Sequence, residues 1–390
     1  MSRTALLVRL PGARGERSEY VVGEPATFER PDGPITHRIA LAAAHVVADP
    51  LAENVPGRPP ALDWEATLAY RRHLWSWGLG VAEAMDTAQR GMGLDWPTAR
   101  ELIGRSIEEA RAAHRVLACG AGTDQLVPGS ARRLDDVERA YEEQCGYIEG
   151  EGGRVILMAS RELARLASGP DDYLRVYGRI LGQLRQPAIL HWLGDMFDPQ
   201  LAGYWGHHDL DQAEEVCLAV ISDNAAHVDG IKVSLLDRDR EVAMRRRLPA
   251  GLRMYTGDDF NFAELIEGDA AGHSDALLGI FDAIAPAASA AVQRLAAGDE
   301  ESYRRILAPT VPLSRLIFAA PTYFYKTGIT FLAYLNGHQR HFRMVGGQEG
   351  MRSVVHLSEV FVLADRAGLL EDPELACARM RLVLALAGVE

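Results

Sequence analysis

The sequence is almost devoid of lysine. Of its 41 lysine and arginine residues, Lys232 and Lys326 are the two lysines. Unlike arginine, which stays charged, a lysine amine can lose its proton and act as a nucleophile. Lys232 interrupts the apolar run "DGIKVSLL" (229–236), which predicts a buried strand. Its presence there indicates amine chemistry, whereas Lys326, in an aromatic-rich predicted helix, is interpreted as a packing or interface contact.

Other scarcities exclude several classes of protein. The four cysteines form no CxxC pair, which argues against a disulfide framework or a zinc site and favours a reducing compartment. No apolar run approaches the roughly 20 residues of a membrane span, and the first apolar run is too short for a signal peptide. The net charge of −13 argues against nucleic acid or an anionic membrane as partner. We therefore expect a cytoplasmic protein that acts on a small molecule. We also expect a homo-oligomer, either a dimer or a tetramer.

Short apolar runs alternate with longer helical patterns, which is typical of βα units around a parallel sheet. The runs that predict strands are 37–46, 80–86, 114–122, 154–160, 187–193, 229–236, 252–258 and 272–279. Eight such units predict an α/β fold, a (β/α)₈ TIM barrel, over residues 35–285. Residues 1–34 are predicted to form an N-terminal arm or hairpin, and residues 286–390 a C-terminal helical extension whose helices span 286–307, 313–340 and 350–388.

Polar residues follow most of these predicted strands. Catalytic side chains of such barrels lie at the C-terminal ends of the strands and in the loops after them. The candidates read from the strands and their ends are His45, Glu83, Asp86, Thr87, Arg161, His191, Asp195, Lys232, Ser234, Asp258, Asp259, His273 and Ser274. This many hydrogen-bonding groups indicates a cavity for a polar ligand.

Three segments of the second half carry a family resemblance. "DGIKVS", "YTGDDF" and "GDAAGHSDAL" resemble the corresponding segments of the dihydrodipicolinate synthase and N-acetylneuraminate lyase family, and the resemblance extends over roughly residues 35–310. More narrowly, the chain resembles an uncharacterised dihydrodipicolinate-synthase-like branch. The resemblance implies a TIM barrel in which Lys232, the lysine of the GIK-type motif, forms a Schiff base with a keto substrate.

The first half departs from the family pattern. Asp86, Thr87 and Ala88 stand where the family has a Gly-Thr-Thr or Gly-Ser-Thr turn that binds the carboxylate of pyruvate. An aspartate beside a substrate carboxylate is repulsive. His191 stands where the family has a proton-shuttling tyrosine. We therefore expect a polar keto substrate, such as a keto sugar or polyol derivative of carbohydrate metabolism, rather than pyruvate.

The family resemblance implies an aldolase-type lyase that needs no cofactor, and it suggests a role for each candidate residue. Lys232 would be the nucleophile, and His191, with Tyr255 or Asp259, would transfer protons. The predicted substrate-binding residues are Asp86, Thr87, Arg161, Asp195, Ser234, Asp258, His273 and Ser274. Structural interpretations stay open beside these: Lys232 paired with an aspartate, His191 as a hydrogen-bonded core histidine, and the Asp258–Asp259 pair as a turn.

Two alternative functions remain. A divalent-metal-dependent sugar isomerase, epimerase or lyase would use strand-end ligands, for which the candidates are His45, Glu83, Asp86, His191 and Asp195. A non-catalytic sugar-binding barrel would retain the fold without the chemistry. The adjacent His207 and His208 are a weaker metal candidate, because neighbouring side chains on a helix point apart.

Overall fold

Eight parallel strands close into a barrel in the computed structural model, which describes residues 6–389. The strands are β3 (Ala40–Ala43), β4 (Gly80–Glu83), β5 (Leu117–Ala121), β6 (Arg154–Leu157), β7 (Ala188–Leu193), β8 (Val228–Ser234), β9 (Arg253–Thr256) and β10 (Asp275–Leu278). Neighbours in the chain pair in order, and β10 pairs with β3 to complete the ring. Each strand overlaps one predicted run, so the predicted TIM barrel is confirmed.

The strands are short and almost wholly buried, because helices cover the outer face while side chains fill the interior. The apolar part of the interior consists of Ile39, Leu41, Ala43, Ala82, Met85, Ala118, Ile156, Met158, Ile189, Tyr255 and Leu277. This apolar interior contrasts with the polar groups that β7 and β8 carry towards their C-terminal ends.

Helices follow most of the strands and continue after the barrel. They are α1 (Trp64–Ser76), α2 (Trp96–Ala112), α3 (Leu134–Gly150), α4 (Arg161–Leu166), α5 (Pro170–Leu181), α6 (Leu210–Asp223), α7 (Arg238–Arg245), α8 (Phe262–Glu267), α9 (Ile280–Ala283), α10 (Ala285–Ala296), α11 (Glu300–Leu307), α12 (Thr310–Ile317), α13 (Tyr325–Leu335), α14 (Val354–Arg366) and α15 (Pro373–Leu386). Several begin at an aspartate whose carboxylate accepts a backbone N–H of the first turn, as Asp63 does from Ala66 at 3.0 Å. None of these helices is long and apolar enough to cross a membrane.

The C-terminal extension contains more and shorter helices than the sequence pattern predicts. The three predicted segments are divided into six helices, α10 to α15. Gly298 and Gly337 adopt positive φ angles of 75° and 87°, where a helix must end. Pro321 lies between α12 and α13, and proline does not continue a helix. Every residue of α13 is buried, so the extension packs closely on the barrel rather than lying loosely beside it.

An antiparallel hairpin, β1 (Leu7–Pro11) and β2 (Arg17–Val21), precedes the barrel. It packs against α14 and α15. The Tyr20 hydroxyl donates to Asp365 Oδ2 at 2.6 Å, and Arg381 donates to the carbonyl oxygen of Leu7 at 2.5 Å. Residues 1–5 of the predicted arm and residue 390 of the predicted extension lie outside the described residues.

A fully buried ion pair joins α1 to β4. Arg71 donates to the two carboxylate oxygens of Glu83 at 2.7 and 2.9 Å, and both side chains are inaccessible to solvent. Arg71 also donates to the carbonyl oxygens of His45 and Thr67, while Ser106 of α2 donates to Glu83 Oε2 at 2.6 Å. Because every polar atom of the pair is used, it holds the barrel and the helix layer in one arrangement.

Replacing Arg71 with methionine should lower the free energy of unfolding by about 3–5 kcal/mol, because the Glu83 carboxylate would remain buried without its partner. The measurement is urea unfolding followed by circular dichroism. Arg72→Met is the matched control, since the neighbouring Arg72 is half exposed and its pairs with Glu65 and Glu109 lie at the surface. That change should cost at most about 1 kcal/mol. Equal losses for the two variants would contradict this account of the pair.

Candidate active site

Lys232 lies inside the barrel on β8, between His191 of β7 and Tyr255 of β9 in the strand register. The residue is 6% exposed. A Cβ atom on Gly257, which follows β9, would lie 2.6 Å from Lys232 Cε and 2.2 Å from Ser234 Oγ. Residue 257 must therefore be a glycine for the lysine side chain to occupy this place. This steric requirement explains the glycine of the "TGDD" sequence.

Burial and two carboxylates act in opposite directions on the Lys232 amine. Burial lowers the pKa of Lys232, while the charges of Asp86 and Asp259 raise it, and the net change is downwards. Burial also raises the pKa of Asp259 to about 7, although a hydrogen bond from the Ile280 backbone N–H (2.8 Å) and the charge of Lys232 lower it. The pKa of the Asp259 carboxyl group thus lies near neutral pH, and the neutral form of the Lys232 amine is favoured relative to a lysine in water.

His191 adjoins the lysine. Its Nε2 atom lies 3.2 Å from the hydroxyl oxygen of Ser234, while its Nδ1 atom is buried and has no hydrogen-bond partner in the described chain. Burial, followed by the charge of Lys232, lowers the pKa of His191 well below its usual value, so the imidazole is neutral. The site thus places a neutral imidazole next to a lysine whose own pKa is lowered.

The second lysine also belongs to this site, although the sequence interpretation treated it as a packing or interface contact. Lys326 of α13 is 2% exposed and donates to the carbonyl oxygen of Tyr323 at 3.0 Å. Burial lowers the pKa of Lys326 to about 8, and the charges of Asp86 and Asp198 oppose this shift. Both lysines of the chain therefore interact with Asp86. Because lysine is so scarce in this sequence, the argument that made Lys232 a candidate site residue applied equally to Lys326.

Tyr325 is a second contribution of α13 that the sequence interpretation missed. Its hydroxyl group lies 2.9 Å from Thr87 Oγ1, and its ring stacks on Phe318 with centroids 4.3 Å apart. Burial raises the pKa of Tyr325 far above its usual value, so the phenol keeps its proton. Thr87, expected to bind substrate, is buried and hydrogen-bonded to this tyrosine.

A cleft of about 490 Å³ opens beside Asp86 and His191. Its lining includes Asp86, Arg90, Thr123, Arg161, His191 and Asp198. Arg161 donates to Asp198 Oδ2 at 2.5 Å and to the carbonyl oxygen of Gly91 at 3.2 Å. Asp195, expected to bind substrate, is exposed and does not line this cleft; Asp198, which the sequence interpretation missed, does.

Three predicted site residues lie towards the opposite end of the barrel. The Tyr255 hydroxyl donates to Asp229, near the start of β8, at 2.5 Å. His273 and Ser274 precede β10, and the Ser274 hydroxyl donates to Glu241 at 2.7 Å. Tyr255 lies beside Lys232 in the strand register, but its side chain is directed to the other end of the barrel. The assignment of His273 and Ser274 was wrong in position, because the predicted strand 272–279 begins three residues too early. The C-terminal end of β10 instead leads to Asp282.

Asp258 and Asp259 have different surroundings although they are neighbours. The Asp258 carboxylate accepts from the backbone N–H of Phe260 at 2.8 Å and from the side chain of Asn261 at 2.8 Å. This is the turn-forming arrangement, whereas Asp259 is the aspartate that interacts with Lys232. Of this pair, Asp259 is the candidate for chemistry.

The five residues proposed as alternative metal ligands do not converge in the described part of the chain. Glu83 is directed into the helix layer, where Arg71 binds it. The His45 ring contacts Asp282 through Nδ1 at 2.9 Å and Gln339 through Nε2 at 3.2 Å. Glu83 and His45 are therefore already hydrogen-bonded to protein groups. Of the five proposed ligands, Asp86 and His191 line the cleft.

The chain belongs to the family described as "Protein of unknown function (DUF993)", whose model matches residues 8–389. No curated protein matches it. Solved structures share its fold, in agreement with the family resemblance of the sequence. A prophage protein of the dihydrodipicolinic acid synthase family from E. coli K12, in complex with pyruvate, has a TM-score of 0.64 at 12% identity over 85% of this chain and 99% of its own.

Two further structures are similar. The chloride-inhibited dihydrodipicolinate synthase from Acinetobacter baumannii, complexed with pyruvate, has a TM-score of 0.60 at 16% identity over 86% of this chain and 100% of its own. Dihydrodipicolinate synthase from Thermotoga maritima has a TM-score of 0.62 at 14% identity over 85% of this chain and 99% of its own. At these identities the likeness shows the fold.

Replacing Asp86 with asparagine should lower the pKa of both lysines, because the negative charge of Asp86 raises both values. Lysine labelled with ¹³C at Cε will give two resonances in this chain, so each pKa can be read from an NMR titration. Asp195→Asn is the control, since Asp195 is exposed and is not among the charges that act on either amine. An unchanged or raised pKa at either lysine in the Asp86→Asn variant would contradict the shared role of Asp86.

Proposed function

We propose that the protein is a lyase of the Schiff-base aldolase type that acts on a polar keto substrate. The observation that carries this proposal is the buried Lys232 amine, whose pKa is lowered, among Asp86, Asp259 and His191 in the barrel interior. A desolvated lysine is partly neutral near pH 7 and therefore nucleophilic. The similar fold of dihydrodipicolinate synthases supports this reaction class.

In the proposed reaction the amine of Lys232 attacks the substrate carbonyl. Loss of water gives an iminium ion, which accepts the electron pair released when a neighbouring C–C bond breaks or when the neighbouring carbon loses a proton, and so becomes an enamine. In a dehydration the enamine returns this pair to expel the β-hydroxyl group, which leaves as water; in a C–C cleavage the enamine is protonated. Hydrolysis of the resulting iminium ion releases the product and regenerates Lys232. Asp259, whose pKa is about 7, and the neutral His191 are positioned to transfer the protons. Tyr255 takes no part, because its hydroxyl is bound to Asp229.

Lys326 and Arg161 give the cleft side of the site positive charge. Arg161 lines the cleft, and its charge lowers the pKa of Lys326, so the two cations are close enough to interact. We propose that they bind an anionic or strongly polar part of the substrate away from the reacting carbonyl. The charge of Asp86 acts on both amines, and its carboxylate can accept a hydrogen bond from a substrate hydroxyl, which favours a keto sugar or polyol derivative.

A non-catalytic sugar-binding barrel is the second candidate. The cleft of about 490 Å³ with polar side chains would serve such a function without any chemistry at Lys232. Covalent trapping separates the two candidates, because a binding protein forms no adduct. The candidate metal ligands do not favour the metal-dependent isomerase, because Glu83 and His45 are bound to Arg71 and Asp282.

Sodium borohydride should trap a substrate on Lys232. The test incubates the protein with a panel of keto acids and keto sugars, reduces the mixture, and measures intact mass and modified peptides. Lys232→Arg should abolish the adduct, because arginine keeps the charge and forms no Schiff base under these conditions. Lys326→Arg is the matched control and should still form the adduct on Lys232.

Three outcomes would contradict this assignment. An adduct on Lys326 alone would make the second lysine the nucleophile. A substrate that turns over without any trapped adduct would exclude Schiff-base chemistry. Binding without adduct and without turnover across the panel would favour the sugar-binding candidate.

Pyruvate should bind weakly, in the millimolar range or above, because its carboxylate would meet the carboxylate of Asp86. Asp86→Asn should strengthen the binding of pyruvate but not that of a neutral keto sugar. Isothermal titration calorimetry at neutral pH measures both. Micromolar binding of pyruvate to the unaltered protein would show that the Asp86 side chain does not repel it.

A further inference from the structure

Two histidines and a glutamate converge outside the barrel, between its first helix and the C-terminal extension. His73 lies in the last turn of α1, His338 follows α13, and Glu371 lies just before α15. One potential ligand atom from each residue lies within 4.8 Å of the other two. The two imidazole rings have centroids 4.1 Å apart, and His338 Nε2 lies 3.5 Å from Glu371 Oε1.

Packing against neighbouring rings does not explain why the polar side chain of His73 occupies this position. Neither nitrogen of its ring has a hydrogen-bond partner within residues 6–389, although Tyr70 stacks on the ring with centroids 5.4 Å apart. A simple ion pair between His338 and Glu371 would leave this half-buried imidazole without a polar contact.

A small cavity adjoins the three side chains. Its volume is about 20 Å³, which is enough for one water molecule or one metal ion. Tyr70 and Asp282 line it together with His73, His338 and Glu371. The Tyr70 hydroxyl already donates to the carbonyl oxygen of Asp282 at 2.6 Å, so the open polar atoms around the cavity are those of the two histidines and the glutamate.

We propose that His73, His338 and Glu371 bind a divalent transition-metal ion, for which zinc is the best match. Two imidazoles and one carboxylate are a donor set that zinc accepts, with ligand distances of about 2.0–2.2 Å and a water molecule in the fourth position. In a tetrahedral site the ligand atoms lie about 3.3 Å apart. The His338–Glu371 distance of 3.5 Å is already close to this value, and Glu371 is exposed and can rotate to complete the site.

Such a site would join the extension to the barrel. His73 belongs to the first barrel helix, whereas His338 and Glu371 lie at the two ends of the segment between α13 and α15. The metal would therefore fix the end of α13, the helix that supplies Tyr325 and Lys326 to the candidate active site. This role is structural and does not depend on the reaction at Lys232.

The test uses the full chain without an affinity tag, dialysed against a chelator and then titrated with zinc by calorimetry. We expect one zinc ion per chain. Cobalt(II) at the same site should give the intense visible absorption of a four- or five-coordinate ion. His338→Gln and Glu371→Gln should each weaken zinc binding at least as much as loss of an outer-shell residue does at known sites, which is roughly 10- to 100-fold.

The double variant His207→Gln/His208→Gln is the control for binding at another histidine pair, because these neighbours lie in a different loop and are also accessible. It should bind zinc as the unaltered chain does. The proposal is overturned if the unaltered chain binds neither ion, if Glu371→Gln, folded by circular dichroism, binds zinc unchanged, or if the control variant loses the site.

Discussion

Closure of the barrel is the constraint on which the candidate site depends. The pairing of β10 with β3 completes a ring of eight parallel strands, and parallel strands in a ring must all end at the same rim. Asp86, which follows β4, His191 of β7, Lys232 of β8 and Asp259, which follows β9, are therefore brought to one region. No two of them are close in the sequence, so the site exists only when the ring is closed.

Burial inside that ring determines the chemistry of the side chains. Removing an amine from water favours its neutral form, and removing a carboxylate favours its protonated form. At Lys232 and Asp259 these tendencies are opposed by mutual attraction; the pKa of Lys232 is lowered on balance, and that of Asp259 is raised to about 7. The same principle applies to Lys326, whose pKa is about 8. Asp86 interacts with both amines and so links the two halves of the site.

The C-terminal extension is part of this arrangement rather than an appendage. Every residue of α13 is buried, and the helix brings Tyr325 to Thr87 and Lys326 into the electrostatic range of Asp86. The N-terminal hairpin in turn packs against α14 and α15 through Asp365 and Arg381. The first and last described segments thus support the helix that completes the site from outside the barrel.

The sequence alone determined the eight strands, the barrel and the position of Lys232, because alternating apolar runs and a lysine inside one of them are local patterns. It also predicted His191 and Asp259 through the rule that strand ends carry function. Only the tertiary structure decided that Tyr255 is directed away, that His273 and Ser274 precede their strand, and that Asp198 rather than Asp195 lines the cleft. Strand boundaries and the path of a loop after a strand depend on packing against distant residues, which a local pattern does not contain. The tertiary structure alone also brought Lys326 to Asp86, because residues 240 positions apart in the chain meet through helix packing, which leaves no periodic trace in the sequence.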